Sequence, residues 1–249
     1  MIPKIIHYCW LSNDPVPENL QKYMSTWKLH LPDYEFIKWD FTRFPKESSK
    51  WVSEAFDNKK YAFAADYIRL YALYNYGGIY LDMDVEILKS FDDFLELNEM
   101  LCYEKDGNGA IEMAVIGFKQ NSSFIKQCLE YYDNRSFIKE DNTFDTTTIP
   151  YIVTKILLEN YKVLDTTILS KAIKASQDGF IPIFPSDFFS PKSYDNGKIY
   201  LTNNTVAIHH FAGSWLSQKE KLIKLLTRFL GRRIITFMIT IKNIHKRTK

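Results

Sequence analysis

The stretch that decides the fold is Ala65-Asp66-Tyr67-Ile68-Arg69-Leu70-Tyr71-Ala72-Leu73-Tyr74-Asn75-Tyr76-Gly77-Gly78-Ile79-Tyr80-Leu81-Asp82-Met83-Asp84. Apolar residues at Phe63, Tyr67, Leu70, Tyr71 and Tyr74 recur at helical spacing, which predicts a helix over Phe63 to Asn75, and Gly77-Gly78 stands where a stop is expected. Ile79 to Leu81 is too short and too apolar for anything but a buried strand. Two carboxylates follow. On a regular strand side chains alternate, so Asp82 and Asp84 project to one face while Met83 points into the core. Hard carboxylate oxygens select Mg²⁺ or Mn²⁺, and those ions share their coordination shell with substrate phosphates. An Asp-x-Asp by itself is also what an acidic turn after a strand looks like; the helix, glycine break and strand ahead of it favour a cation held against a diphosphate.

Working outward, Asp66 and Arg69 sit three apart and share a helix face. One reading is a surface ion pair of little worth. The other directs both charges into a cleft beside the acidic strand end, where Arg69 grips phosphate or sugar oxygens and Asp66 accepts sugar hydroxyls. Pro3 to Cys9 is an apolar, β-branched run suited to a buried first strand. Trp10 falls at its end, where α/β folds place ligand sites, although a lone Trp also serves core packing. Near the other end, His209 and His210 follow the apolar Val206-Ala207-Ile208. Adjacent residues on a strand face opposite ways, so at most one of the two serves as a cation ligand or phosphate donor while the other packs, and His209 is the preferred candidate.

These residues carry a family resemblance. Ala65 to Asp84, with Ile2-Pro3-Lys4-Ile5-Ile6-His7-Tyr8-Cys9-Trp10 and His209-His210-Phe211-Ala212-Gly213-Ser214-Trp215, resembles glycosyltransferase family 32, the capsule-type and mannosyltransferase-like enzymes. It is more distantly similar to the catalytic domain of the large clostridial glucosylating toxins. The resemblance runs in order from residue 2 to residue 216. It implies a GT-A fold, a nucleotide-sugar donor, Mn²⁺ (or Mg²⁺) and transfer with retention. Carried over, Trp10 stacks on the donor's base, and Asp66 and Arg69 contact the donor sugar and phosphate. Tyr80, Asp82 and Asp84 form the metal motif, with Asp84 on the cation and Asp82 in support. His209, Ser214 and Trp215 belong to a closing segment at the diphosphate. Here Ser214 directly precedes Trp215, unlike the toxin spacing. UDP is the expected nucleotide, and the family also includes GDP-mannose users.

The rest of the chain suits one enzyme-sized domain. It has 249 residues, 46% hydrophobic and 16% aromatic, with no linker-like stretch. Three cysteines, Cys9, Cys102 and Cys128, lack metal-ligand spacing and fit reduced thiols in a cytosol. No secretory signal is apparent at the N-terminus. Strands are expected at Lys4 to Tyr8, Tyr34 to Trp39, Ile79 to Leu81, Leu101 to Glu104, Ala114 to Phe118 and Val206 to His209. Helices are expected at Glu18 to Leu29, Trp51 to Asn58, Phe63 to Asn75, Ser123 to Tyr132 (capped by Ser122) and Ile149 to Asn160. This interleaving gives an α/β fold with a mostly parallel open sheet flanked by helices. Asn108, Gly109 and Glu112 fall after a strand, in an acceptor-facing place, and Asp187 lies in a loop as an acceptor contact or an Asx-type turn.

The formal net charge of +2 hides an asymmetry. Residues 219–249 hold ten Lys or Arg and one acid, Glu220, whereas residues 1–218 hold 22 bases and 29 acids. The boundary separates a glycosyltransferase domain, 1–218, from a basic tail, 219–249. In the tail Leu222, Leu225, Leu226, Phe229 and Leu230 follow helical spacing with Lys221, Lys224 and Arg228 on other faces. Its apolar run Ile234 to Ile241 falls far short of the ~20 residues that span a bilayer. A basic amphipathic helix on an anionic membrane surface is one reading, and packing on the domain or on a partner helix is the other. No nucleic-acid-binding module accompanies the charge.

The expected function is a hexosyltransferase, cytoplasmic and peripheral on the inner face of the cell membrane, that acts on a saccharide or lipid-linked saccharide acceptor in surface polysaccharide synthesis. A haloacid-dehalogenase-type phosphohydrolase also places Asp-x-Asp after an apolar strand, but its usual Thr or Val is replaced here by Glu86. A noncatalytic, membrane-associated saccharide-binding protein is the third reading. Deleting residues 219–249 is expected to abolish sedimentation with anionic liposomes while donor hydrolysis persists; a truncated chain that still sediments overturns the tail's role.

Overall fold

The computed structural model describes residues 1–213. Ser214, Trp215 and the tail, with the membrane reading that rests on it, lie outside the described residues. Along the chain the elements are β1 (Ile5–Cys9), α1 (Glu18–His30), β2 (Glu35–Trp39), α2 (Lys50–Asp57), α3 (Tyr61–Tyr76), β3 (Gly78–Leu81), β4 (Val85–Ile87), β5 (Glu99–Cys102), β6 (Val115–Phe118), α4 (Ser123–Glu130), α5 (Ile149–Asn160), β7 (Val163–Asp165), α6 (Leu169–Gln177), β8 (Ile181–Phe184) and β9 (Ala207–His209).

Seven strands form one sheet in the order β2-β1-β3-β6-β5-β8-β7, and β4 pairs with β9 in a separate ribbon. Every neighbouring pair in the sheet is parallel except those made by β6, which runs against both β3 and β5. The expected α/β, mostly parallel sheet is therefore present. Period-2 alternation divides its core in two. Tyr80, Leu101, Ile116 and Phe118 point into one cluster with α2, α3, α4 and α5. Ile79, Leu81, Met100, Cys102 and Val115 point into the other, with residues of α1, α6 and the β4–β9 ribbon. Helices thus cover both faces, the condition under which strands can be apolar on every residue.

The α3–β3 link fixes the geometry of the site. Gly77 donates its N–H to Leu73 O at 2.9 Å and ends α3. It has φ +64° and Gly78 has φ +103°, and a Cβ on Gly78 would lie 2.6 Å from the carbonyl oxygen of Ile5. No other residue type combines that backbone with that contact. Against the same link, fully buried His7 donates from Nε2 to Gly77 O at 2.7 Å and accepts at Nδ1 from the Trp39 indole N–H at 3.0 Å. One neutral imidazole ties β1, β2 and the α3–β3 turn together.

Expected and observed boundaries differ by one or two residues at most element ends and coincide at the rest. Ser122 caps α4, its side chain accepting from Ile125 N–H. The strands β4, β7 and β8 and the helix α6 were not anticipated. Pro182 lies inside β8, opposite Leu164, and a proline argues against an interior strand when only sequence is read. β4 and β7 have three residues each, too few for a period to show.

Burial lowers the pKa of His7 from 6.5 to about 4, so the native protein excludes a proton that the unfolded chain accepts. The stability this supplies is complete above about pH 6.5 and is lost as pH falls toward 4. The unfolding free energy of the wild type relative to a His7→Gln variant, each from urea titration, is expected to fall by about 2 kcal/mol between pH 7 and pH 5. An equal slope in the variant contradicts this account.

Candidate active site

β1 and β3 are parallel neighbours with His7 opposite Tyr80, so Cys9-Trp10 and Asp82 leave the sheet at the same edge. Asp82 extends the β3 ladder by donating its N–H to Ala114 O at 2.9 Å. The chain then reverses in a tight turn closed by Val85 N–H to Asp82 O at 3.0 Å. This corrects the expectation of a regular strand through Asp84: the two acids converge because a turn folds them together, not because a pleat alternates. Met83 is buried as expected.

The turn hands the chain to β4, and β9 lies antiparallel to it with His209 opposite Val85. That register sets His209 Nε2 3.6 Å from Asp84 Oδ1. Asp82, Asp84 and His209 each offer a ligand atom, and these atoms lie within 4.8 Å of one another. Two carboxylates and an imidazole suit Mn²⁺ or Mg²⁺, which keep further positions for water and phosphate. The donor set therefore fits the cation that the sequence implies. Asp84 is held on its other side: Oδ2 accepts from Ala212 N–H at 2.6 Å and its backbone carbonyl from His210 N–H at 3.0 Å.

The two histidines part as strand geometry requires. His209 faces the acids, whereas His210 bonds Glu86 Oε2 at 2.7 Å and stacks on Tyr23 with ring centroids 4.2 Å apart. Burial opposes a charge on His209, yet Glu112 and then Asp84 raise its pKa from 6.5 to about 9.

Asp66 and Arg69 are buried rather than surface residues. The Arg69 guanidinium lies 3.2 Å from Asp66 Oδ1 and 3.2 Å from Asp82 Oδ1, donates from Nη1 to Met113 O, and sits 4.4 Å from the centre of the buried Tyr80 ring. Its side chain is 7% exposed, while Asp82 keeps 31% of its side-chain surface open to the edge of the sheet. Burial pushes the Asp66 carboxyl up to about 7 against the pull of Arg69. Trp10 is partly buried; its indole N–H donates to Asp14 O at 2.8 Å, and it lines a cleft of about 620 Å³ with Ser12, Asp14, Asp40 and Thr42.

Glu112, expected to face an acceptor, is 2% exposed and bonded entirely within the protein. Oε1 accepts from Ala114 N–H at 2.8 Å, and Oε2 accepts from Ser190 Oγ–H and lies 3.1 Å from His209 Nδ1. The sequence did carry a signal for it, a single acid inside the apolar run Ala110-Ile111-Glu112-Met113-Ala114-Val115-Ile116. Asp187 joins two loops, accepting from Thr202 Oγ1 at 2.7 Å and Asn204 Nδ2 at 3.3 Å.

With this geometry in place, comparison with known proteins becomes specific. Residues 17–101 match the glycosyltransferase sugar-binding region containing the DXD motif. Asp82-Met83-Asp84 lies inside that span, so the resemblance to DXD glycosyltransferases is borne out. The chain is 34% identical over 131 residues to inositol phosphoceramide mannosyltransferase 3 of Schizosaccharomyces pombe, which covers 51% of this chain and 36% of that protein. It is 33% identical over 149 residues to mannosyl phosphorylinositol ceramide synthase SUR1 of Saccharomyces cerevisiae, covering 55% and 37%. The match thus spans little more than a third of each relative. Among solved structures it is similar to a chain named PaToxG Glycosyltransferase, with TM-score 0.47 and 19% identity over 64% of this chain and 69% of that one.

Replacing Arg69 by Met leaves buried Asp66 and half-buried Asp82 without their shared cation. Urea unfolding is expected to show a loss of about 3–5 kcal/mol. A loss below about 1 kcal/mol would mean that Asp66 and Asp82 do not depend on it.

Proposed function

We propose that this chain is a metal-dependent, retaining glycosyltransferase that moves a hexose from a nucleoside-diphosphate sugar to a saccharide acceptor. The observation that carries this reading is the convergence of Asp82, Asp84 and His209 at the sheet edge within and beside a DXD-matching segment. When bound, the cation offsets negative charge on the departing diphosphate.

The chain's own part is to bind and orient. Asp84 and His209 hold the cation, with Asp82 in support. Arg69 fixes Asp82 by a charge-assisted contact and neutralises part of the acidic cluster. The Trp10 cleft receives the base, and the family resemblance assigns Ser214 and Trp215, which lie outside the described residues, to the diphosphate. No side chain is assigned as a nucleophile.

The sequence reading favours UDP, whereas the names of the relatives favour a mannosyl donor and an acceptor that is a phosphorylated lipid headgroup. The proposal therefore includes a lipid-linked acceptor, with the tail of residues 219–249 holding the enzyme on the inner face of the cell membrane and the product entering surface polysaccharide.

A panel of UDP- and GDP-hexoses, assayed for hydrolysis with Mn²⁺ or Mg²⁺, tests the core of this reading. Asp84→Asn is expected to lower cation-dependent turnover by at least about 100-fold while circular dichroism stays unchanged. Undiminished turnover in that variant, or hydrolysis of generic phosphate esters in preference to every nucleotide sugar, overturns it.

A further inference from the structure

His209 has two ring nitrogens with different surroundings: Nε2 faces Asp84 at 3.6 Å, and Nδ1 lies 3.1 Å from Glu112 Oε2. A cation at the Asp82–Asp84–His209 cluster needs the lone pair of Nε2, so the ring proton must reside on Nδ1. A neutral imidazole puts its proton on whichever nitrogen has the acceptor, and at Nδ1 that acceptor is a carboxylate almost wholly removed from water.

We propose that Glu112, anchored by Ser190 and the Ala114 amide, is the positioning residue that locks His209 with its proton on Nδ1 and its Nε2 lone pair toward the cation. The inference rests on the reading of His209 as a cation ligand. Its geometry is independent of the donor sugar and the acceptor. Glu112 is held from two directions: the Ala114 N–H fills Oε1 at 2.8 Å, and the Ser190 hydroxyl fills one side of Oε2. Those contacts leave the second lone pair of Oε2 for the imidazole, so the carboxylate cannot swing away without abandoning two buried donors.

Three consequences follow from the placement of these groups. Glu112 precedes β6 while His209 ends β9, so the contact ties the ribbon to the main sheet across 97 residues of chain. Ser190 reaches Glu112 from the segment between β8 and β9, 78 residues away. The carboxylate also acts on charge as well as on orientation. It stabilises a divalent ion on Nε2 more than a single proton there, so its loss weakens ion binding even though it also eases deprotonation of the ring. A glutamine in its place has one oxygen for three donors: Ala114 N–H, Ser190 O–H and His209 Nδ1–H. If the amide NH₂ turns to the imidazole, Nδ1 becomes the acceptor and the proton moves to Nε2, which blocks the ion.

The test uses the full chain labelled with ¹⁵N-histidine and titrated with Mg²⁺, with His209→Ala, Glu112→Gln and Ser190→Ala as variants. In the wild type the ¹⁵N spectrum is expected to show His209 protonated at Nδ1 and ion-bound at Nε2. Glu112→Gln is expected to weaken Mg²⁺ binding by about 10- to 100-fold and to move the proton to Nε2. Ser190→Ala, which keeps the carboxylate, should weaken binding in the same direction by less. A structural role alone would change thermal unfolding without changing the tautomer. If His209→Ala weakens binding but both other variants keep wild-type affinity and the Nδ1–H tautomer, the role of Glu112 is refuted and the cation site stands. If His209→Ala binds Mg²⁺ as the wild type does, the cation site itself fails, and the proposal with it.

Discussion

The buried guanidinium of Arg69 is the interaction on which the site depends. Asp66, Asp82, Asp84 and Glu112 crowd one end of the sheet, and an ionised carboxylate taken out of water costs several kcal/mol unless it is paired. Arg69 touches Asp66 and Asp82 and bonds the Met113 carbonyl, so one cation from α3 reaches its own helix, the turn after β3 and the approach to β6. On the far side, His209 with its raised pKa does the same for Asp84 and Glu112. The two cations leave the four acids with residual negative charge. A divalent ion held by Asp82, Asp84 and His209 would displace the imidazolium proton, and its net gain of one positive charge would offset part of that residual charge.

That arrangement explains which parts were legible in the sequence. The helix, the Gly77-Gly78 break and the strand before Asp82 could be read because each is a local rule: periodicity, a positive-φ glycine pair, an apolar run. The pairing of Asp66 with Arg69 was legible as helix spacing, but its burial was not, because burial depends on α3 lying between the sheet and α2 and α4. The convergence of Asp82 and Asp84 was anticipated for the wrong local reason. A four-residue strand ends at Leu81, and the hydrogen bond from Val85 to Asp82 makes the turn. Sequence alone did not distinguish a pleat from a turn, since both bring positions i and i+2 together.

Glu112 was placed toward an acceptor rather than beside His209, and Ser190 was not singled out, for a different reason. Their roles exist only through partners 78 and 97 residues away, and no periodic pattern records such a contact. The choice between His209 and His210 sits between these cases. Alternation states that the two rings diverge, and only the β4–β9 register states which one meets the acids. What the sequence held was the inventory of chemistry, and what it lacked was long-range register.

The same long-range register has a consequence for stability. Asp84 is bound by the Ala212 amide across 128 residues, and His209 by Glu112 across 97, so the cluster exists only when the segment after β8 has closed against the sheet. An unfolded chain brings no more than Asp82 and Asp84 near one another. A divalent ion that needs all three groups therefore binds the native state and not the unfolded one, and the free energy of binding adds to the free energy of folding by mass action. The acids that destabilise this edge of the sheet when alone become, once the ion is bound, a clamp between β3, β4 and β9. An ion held by all three groups would return part of the stability that the crowded acids cost.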